Sequence, residues 1–122
     1  MKRILVVDDS AAIRKAIRRI IEPLGFTVDE AGDGQQALTY CVEWGTVDAV
    51  LLDIDMPVMD GLTFLRELRG LSGILQPVVI MCTSHNAMAN MEEALALGAN
   101  EYIMKPFDTE IVSSKLQQLD LM

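Results

Sequence analysis

Four apolar runs in this chain end in residues that can do chemistry. Leu5-Val6-Val7 is followed by Asp8 and Asp9, Ala49 to Leu52 by Asp53, Val78 to Cys82 by Thr83, and Tyr102-Ile103-Met104 by Lys105. Adjacent acids repel. At ~4 Å and an effective dielectric of ~20 the penalty is about 4 kcal/mol. A surface turn relieves it through solvent, whereas a third carboxylate nearby calls for a cation. Oxygen donors alone suit a hard ion such as magnesium, which binds a few carboxylates and keeps its other positions for water or phosphate oxygens. No histidine or cysteine joins the set, which argues against zinc. A lysine and a hydroxyl beside such an ion make a place for a phosphoryl group, whose spread charge needs electrostatic clamping. Asp53 alone is both central and nucleophilic, and a carboxylate can attack phosphorus to give an aspartyl phosphate. Each residue also has a plainer reading. Asp8-Asp9 can be a turn and helix cap, Thr83 a cap, Lys105 a surface lysine and Tyr102 simple packing.

These residues gather only if the runs before them lie side by side. The apolar runs predict strands over 2–7, 26–30, 47–52, 77–82 and 101–104. Helices are expected between them. The first covers 10–22, with Ser10 as N-cap and an apolar face of Ile13, Ile17, Ile20, Ile21 and Leu24. The second is capped by Asp33, with Gln36 reaching back in a capping box, and buries Ala37, Leu38, Cys41 and Val42. The third, over 62–71, presents Leu62, Leu65 and Leu68. The fourth runs over 87–97. The fifth is capped by Asp108 and packs through Ile111, Val112, Leu116 and Leu119. Strands alternating with helices predict an α/β fold, an open parallel sheet with helices on both faces and right-handed crossovers. Ligands of such sheets bind at the C-terminal strand ends, where the polar residues above all fall.

The composition fits one domain. The chain has 122 residues, half of them apolar, and a net charge of −8, which argues against nucleic acid as a partner. Six of the ten basic residues lie in the first nineteen, a basic docking face near the first helix. Cys41 and Cys82 lack metal-ligand spacing and are expected as free thiols. No apolar run is long enough for a signal peptide or a membrane span, so a soluble cytoplasmic protein is expected.

LVVDDS (5–10), LLDIDMPVMDG (51–61), MCTS (81–84) and MKPF (104–107) stand in order. Together they resemble the receiver domain of response regulators, the phospho-acceptor half of two-component signalling, over essentially the whole chain. The resemblance implies a flavodoxin-like fold with five strands in the order 2-1-3-4-5 and five helices. It implies that Asp53 is phosphorylated by a histidine kinase or a histidine phosphotransfer protein. Asp8, Asp9, Asp53 and the backbone carbonyl of Asp55 would hold Mg2+. Thr83 would be the switch hydroxyl, Tyr102 the aromatic that follows it, and Lys105 the phosphate's lysine, joined to Pro106 by a cis bond.

Asp55 departs from many chemotaxis members, which carry asparagine there. With His85 it is a candidate to set the lifetime of the phosphorylated state. Arg14 and Arg18, one turn apart, would face the phosphoryl donor. Met91 and Leu95, also one turn apart, would form an output surface with Tyr102 and the fifth helix. The expected role is a stand-alone, monomeric regulator acting through a protein partner, with chemotaxis and the flagellar switch as the output. A phosphorelay shuttle or a kinase regulator would look much the same. Asp53-Ile54-Asp55 also matches the nucleophile motif of haloacid-dehalogenase-type phosphohydrolases, but on the third strand rather than the first. A phosphate-independent binding module is the remaining alternative, and the intact acidic and basic set argues against it.

Overall fold

Five short strands lie parallel in the computed structural model, which describes residues 2–44, 46–83 and 88–122. They are β1 (Arg3–Val7), β2 (Thr27–Ala31), β3 (Ala49–Leu52), β4 (Val78–Thr83) and β5 (Glu101–Met104). Their order is β2-β1-β3-β4-β5, as the resemblance implied. The connecting helices are α1 (Ala11–Ile21), α2 (Gly34–Trp44), α3 (Gly61–Arg69), α4 (Met88–Ala96) and α5 (Thr109–Gln118). Among the described residues no helix is long and apolar enough to cross a membrane.

Strand side chains alternate between two cores, because successive residues of a strand point to opposite faces. Leu5, Val7, Val50, Leu52, Val79 and Met81 pack with α2, α3 and α4 around Phe64. Ile4, Val6, Ala49, Leu51, Ile80 and Cys82 pack against Ile17 and Ile21 of α1 and Val112 and Leu116 of α5. A sheet covered on both sides accounts for the apolar runs of the inner strands β1, β3 and β4, while the edge strand β2 carries Asp29 and Glu30.

Helix starts follow the short polar side chains. Ser10, Asp60 and Asp108 accept from the N–H groups of Ile13, Thr63 and Ile111 at 3.3, 2.8 and 2.9 Å, satisfying donors the helix leaves open. Asp33 caps α2 through the Gln36 N–H (2.8 Å). The Gln36 carbonyl oxygen returns to the N–H of Gly32 (3.0 Å), one residue before the capping-box position.

Several expected core faces are narrower than predicted. Ile13, Val42 and Ile111 are exposed, and Phe64, absent from the expected face of α3, is fully buried. Met91 and Leu95 do not form a common surface. Met91 is 2% exposed and sits in the core, while Leu95 is 45% exposed. Side chains four residues apart are offset by about 40° around a helix, enough for the edge of the core to fall between them.

Arg69, at the end of α3, straps the far end of the molecule. It donates to the Gly98 carbonyl (2.8 and 3.1 Å), the Pro77 carbonyl (2.9 Å), Gln76 (2.8 Å) and Asn100 (3.0 Å). This ties α3 to the C-terminal end of α4.

Candidate functional site

The strand registers bring the polar residues to one edge. Val7 pairs with Leu52, and Leu52 with Met81. Thr83, expected just beyond its strand, is the last residue of β4 and pairs with Met104. Three backbone hydrogen bonds carry the ladder one residue further: Asp8 N to Ala31 O (3.2 Å), Asp53 N to Val7 O (3.0 Å) and Lys105 N to Thr83 O (2.7 Å). The chemistry-bearing side chains are therefore mounted on fixed backbone.

Carboxylate oxygens of Asp8, Asp9 and Asp53 lie within 4.8 Å of one another. Asp8 is buried, Asp53 partly buried and Asp9 exposed. Magnesium–oxygen distances of about 2.1 Å put two ligand oxygens at most about 4.2 Å apart. The difference is small and Asp9 is exposed, and the donor set is all oxygen, so the cluster fits such an ion. Asp55 is exposed and its carboxylate lies outside this cluster.

Lys105 reaches into the same place. Its Nζ lies 3.0 Å from Asp8 Oδ2 and 3.6 Å from Asp53 Oδ1. Asp8 Oδ1 accepts from the Ser10 N–H (2.9 Å), and Asp53 Oδ1 from the Ile54 N–H (2.9 Å). Thr83 is buried, with 2% exposure. The Lys105–Pro106 peptide is cis, as the resemblance implied. His85 lies outside the described residues.

The loop from Asp53 to Asp60 is folded tightly. The Gly61 N–H donates to Ile54 O (2.8 Å) and the Gly34 N–H to Met59 O (2.9 Å). Between these anchors Val58 takes a φ of 68°, a left-handed conformation that a β-branched residue adopts only under constraint.

Burial pushes the Asp53 carboxyl above its ordinary 3.8; Lys105 pulls it down, and the Asp8 charge adds to the upward shift. The folded state thus holds a proton on Asp53 more tightly than the unfolded chain. Stability from this group is greatest when the carboxyl is protonated and declines as pH rises through the window above 3.8. Asp53→Asn is therefore expected to melt at a higher temperature than the wild-type chain at pH 7 in EDTA. The difference should shrink as pH falls through the folded value toward 3.8 and be gone below it; thermal melts across that range check it.

Arg14 and Arg18 are both engaged within the domain. They grip Glu30 of β2 from either side, with Nε–Oε1 at 3.0 Å and Nε–Oε2 at 2.9 Å. Arg18 also meets Glu22 at 3.4 Å. Burial works against the Glu30 charge, but the arginine hydrogen bonds outweigh it and its carboxyl is held below 4.5. Glu30 was not expected from the sequence. It lies 16 residues from Arg14, and only the placing of β2 beside β1 brings them together.

Beside the site, Ile13, Ala16, Ile17 and Ile20 of α1 face Pro106 and Phe107 across a groove of about 440 Å³. A second groove, about 340 Å³, is lined by Tyr102, Met104, Pro106, Ile111 and Lys115. The Lys115 ammonium sits 5.8 Å from the Tyr102 ring centre and 3.3 Å from Glu101.

A doubly wound, flavodoxin-like domain with three carboxylates, a hydroxyl and an ammonium at its C-terminal strand ends defines the class: an α/β domain with a cation-ready acidic site. Residues 4–117 match the response regulator receiver domain, and the chain belongs to that family, the receiver domains of two-component systems. It is 37% identical over 117 residues to the response regulator MprA of Mycobacterium tuberculosis, covering 96% of this chain and 50% of that protein. The chain thus spans about half the length of the curated relatives it matches. Among solved structures it resembles the chemotaxis response regulator CheY4 of Vibrio cholerae, with a TM-score of 0.88, 31% identity and 98% of each chain covered. It also resembles a chain in the CheX-CheY-BeF3-Mg complex of Borrelia burgdorferi (TM-score 0.88, 31% identity, 99% of this chain and 90% of that one).

Proposed function

We propose that this domain accepts a phosphoryl group on Asp53 from a phosphohistidine protein and, once modified, changes its binding to an output protein. The observation that carries the reading is the Lys105 ammonium set between Asp8 and Asp53, 3.0 and 3.6 Å away, beside an acidic cluster that fits a cation. Mg2+ held by Asp8, Asp9, Asp53 and the Asp55 carbonyl would neutralise the incoming phosphoryl charge. Asp53 Oδ1 is engaged by the Ile54 N–H, which leaves Oδ2 as the nucleophile. The new bond is Oδ2–P. The bond broken is P–N of the donor imidazole, which leaves with a proton. Lys105 then turns from Asp53 to the phosphoryl oxygens, and the Thr83 hydroxyl donates to them. The added charge of roughly −1.5 to −2 shifts the domain between two arrangements by binding one better than the other.

The α1 groove beside Pro106 and Phe107 is the donor's seat in this reading. Its affinity comes from Ile13 and Ile20 rather than from Arg14 and Arg18. The output surface is the groove at Tyr102 and Ile111, with exposed Leu95 as a further contact. Asp55 and His85 tune the phosphoryl lifetime. Coverage of nearly all of CheY4 supports a chemotaxis-type output such as the flagellar switch. The match to half of MprA supports a second reading, in which the domain serves a longer regulator.

Incubation with acetyl phosphate and Mg2+ should add one alkali-labile phosphoryl mass to the wild-type chain. Asp53→Asn and EDTA should each abolish it. No adduct, or an equal one in the variant, removes Asp53 from this role.

A further inference from the structure

Every polar backbone and carboxylate atom of Asp8 is held by a neighbour. Its N–H goes to Ala31 O (3.2 Å), Oδ1 accepts from Ser10 N–H (2.9 Å) and Oδ2 pairs with Lys105 (3.0 Å). The carbonyl oxygen receives the Arg14 Nη1 (2.5 Å). That same guanidinium is locked by Nε to Glu30 (3.0 Å). Arg14 therefore bridges the end of β2 to the Asp8–Asp9 peptide, and its side chain is only 17% exposed. Arg18 grips the same Glu30 (2.9 Å), but among the described residues its side chain donates to Glu30 and Glu22 and not to Asp8.

We infer that Arg14 is a positioning residue for cation binding: it fixes the orientation of the Asp8–Asp9 peptide and so aims the exposed Asp9 carboxylate at Asp8 and Asp53. The inference rests on the metal reading above. Its physical basis is pre-organisation. A planar, always-charged fork can satisfy a carboxylate and a carbonyl at once with fixed geometry, which a lysine cannot. Without it Asp8 keeps its own N–H anchor to Ala31 O, while the Asp8–Asp9 peptide loses its carbonyl anchor. Asp9 must then be ordered by the ion itself, and affinity falls. Arg18 is a natural control, because it shares the charge partner and lacks the link to Asp8.

The test is Mg2+ titration by calorimetry of the wild-type chain, Arg14→Ala, Arg14→Lys and Arg18→Ala. Urea melts and hydrogen exchange at Ser10 in metal-free buffer accompany it. Arg14→Ala should bind Mg2+ about tenfold more weakly, Arg14→Lys should fall between, and Arg18→Ala should stay within about twofold of wild type. The two alanine variants should lose similar stability, since both abandon Glu30. Only the Arg14 variants should speed exchange of the Ser10 N–H, whose acceptor is Asp8 Oδ1. Equal Mg2+ affinity in Arg14→Ala, or an equal loss in Arg18→Ala, overturns the inference and leaves the metal reading standing. If Arg14→Ala fails to fold, Arg14→Lys decides by the same comparison. No Mg2+ binding by the wild-type chain overturns both.

Discussion

Replacing Gly61 by alanine is expected to destabilise the domain by roughly 3 kcal/mol or more, at or beyond the upper end of overpacking substitutions. A Cβ there would stand 2.2 Å from the Asp53 carbonyl oxygen and 3.0 Å from the Ile54 Cα. Both are backbone atoms, so no side-chain rotation relieves the clash. The Gly61 N–H also donates to Ile54 O (2.8 Å), and separating the two strands of chain breaks that bond. The displaced segment is the one that carries the candidate acceptor, so labelling by acetyl phosphate should fall with stability. Gly25 provides the contrast. Its φ is 100° and nothing lies within 4 Å of a Cβ. Alanine there meets only the left-handed conformational penalty, about 1–2 kcal/mol. Urea midpoints for both variants, at unchanged m-values, check the difference. A Gly61→Ala loss no larger than that of Gly25→Ala would show that the loop yields easily.

Lys105→Met should lose about 1–3 kcal/mol in metal-free buffer, less than a fully buried pair because the lysine is partly solvated. Its side chain is 25% exposed, whereas Asp8 keeps only 3%, so removal strands a buried carboxylate held, among the described residues, by the Ser10 backbone N–H. Added Mg2+ should restore much of the loss and bind more tightly than to wild type, because it no longer competes with an ammonium for Asp8 Oδ2. Phosphoryl uptake should slow by about a hundredfold through loss of an electrostatic clamp on the transferring group. Burial opposes the Lys105 charge, but the Asp8 hydrogen bond and the Asp53 and Asp8 charges hold its pKa above 10.5. The pair's contribution is therefore full below the unfolded lysine's pKa and declines as pH rises through the folded value above 10.5. Wild-type stability should drop in that alkaline range, and the variant's should lack that component. Paired urea titrations with EDTA and with Mg2+ test both points.

Those two sites also mark how far local pattern reaches. Continuous aliphatic runs predicted the strands to within a residue or two, since a strand buried on both faces needs no polar alternation. The acids, hydroxyl and lysine at their ends were legible for the same reason: they interrupt the runs. Ser10, Asp33 and Asp108 are local too, each capping a helix through an N–H three residues on, and Asp60 does the same without having been expected as a cap.

Helix faces were less legible. Ile13, Val42 and Ile111 have helical spacing yet stand in solvent, because periodicity gives the direction of an apolar stripe and not the width that the sheet covers. Met91 and Leu95 fall on opposite sides of that boundary. Individual charge pairs were not legible, even where the edge they share was. Arg14 and Arg18 looked like a free basic face until the order β2-β1 set Glu30 against them. Lys105 meets Asp8 across 97 residues. Sequence by itself determined the family, the strands, the caps and the types of residue at the sheet's edge, because these follow from neighbours along the chain. Which of those charges neutralise one another was decided only by the tertiary structure, because Coulomb attraction acts through space and the parallel crossovers set those distances.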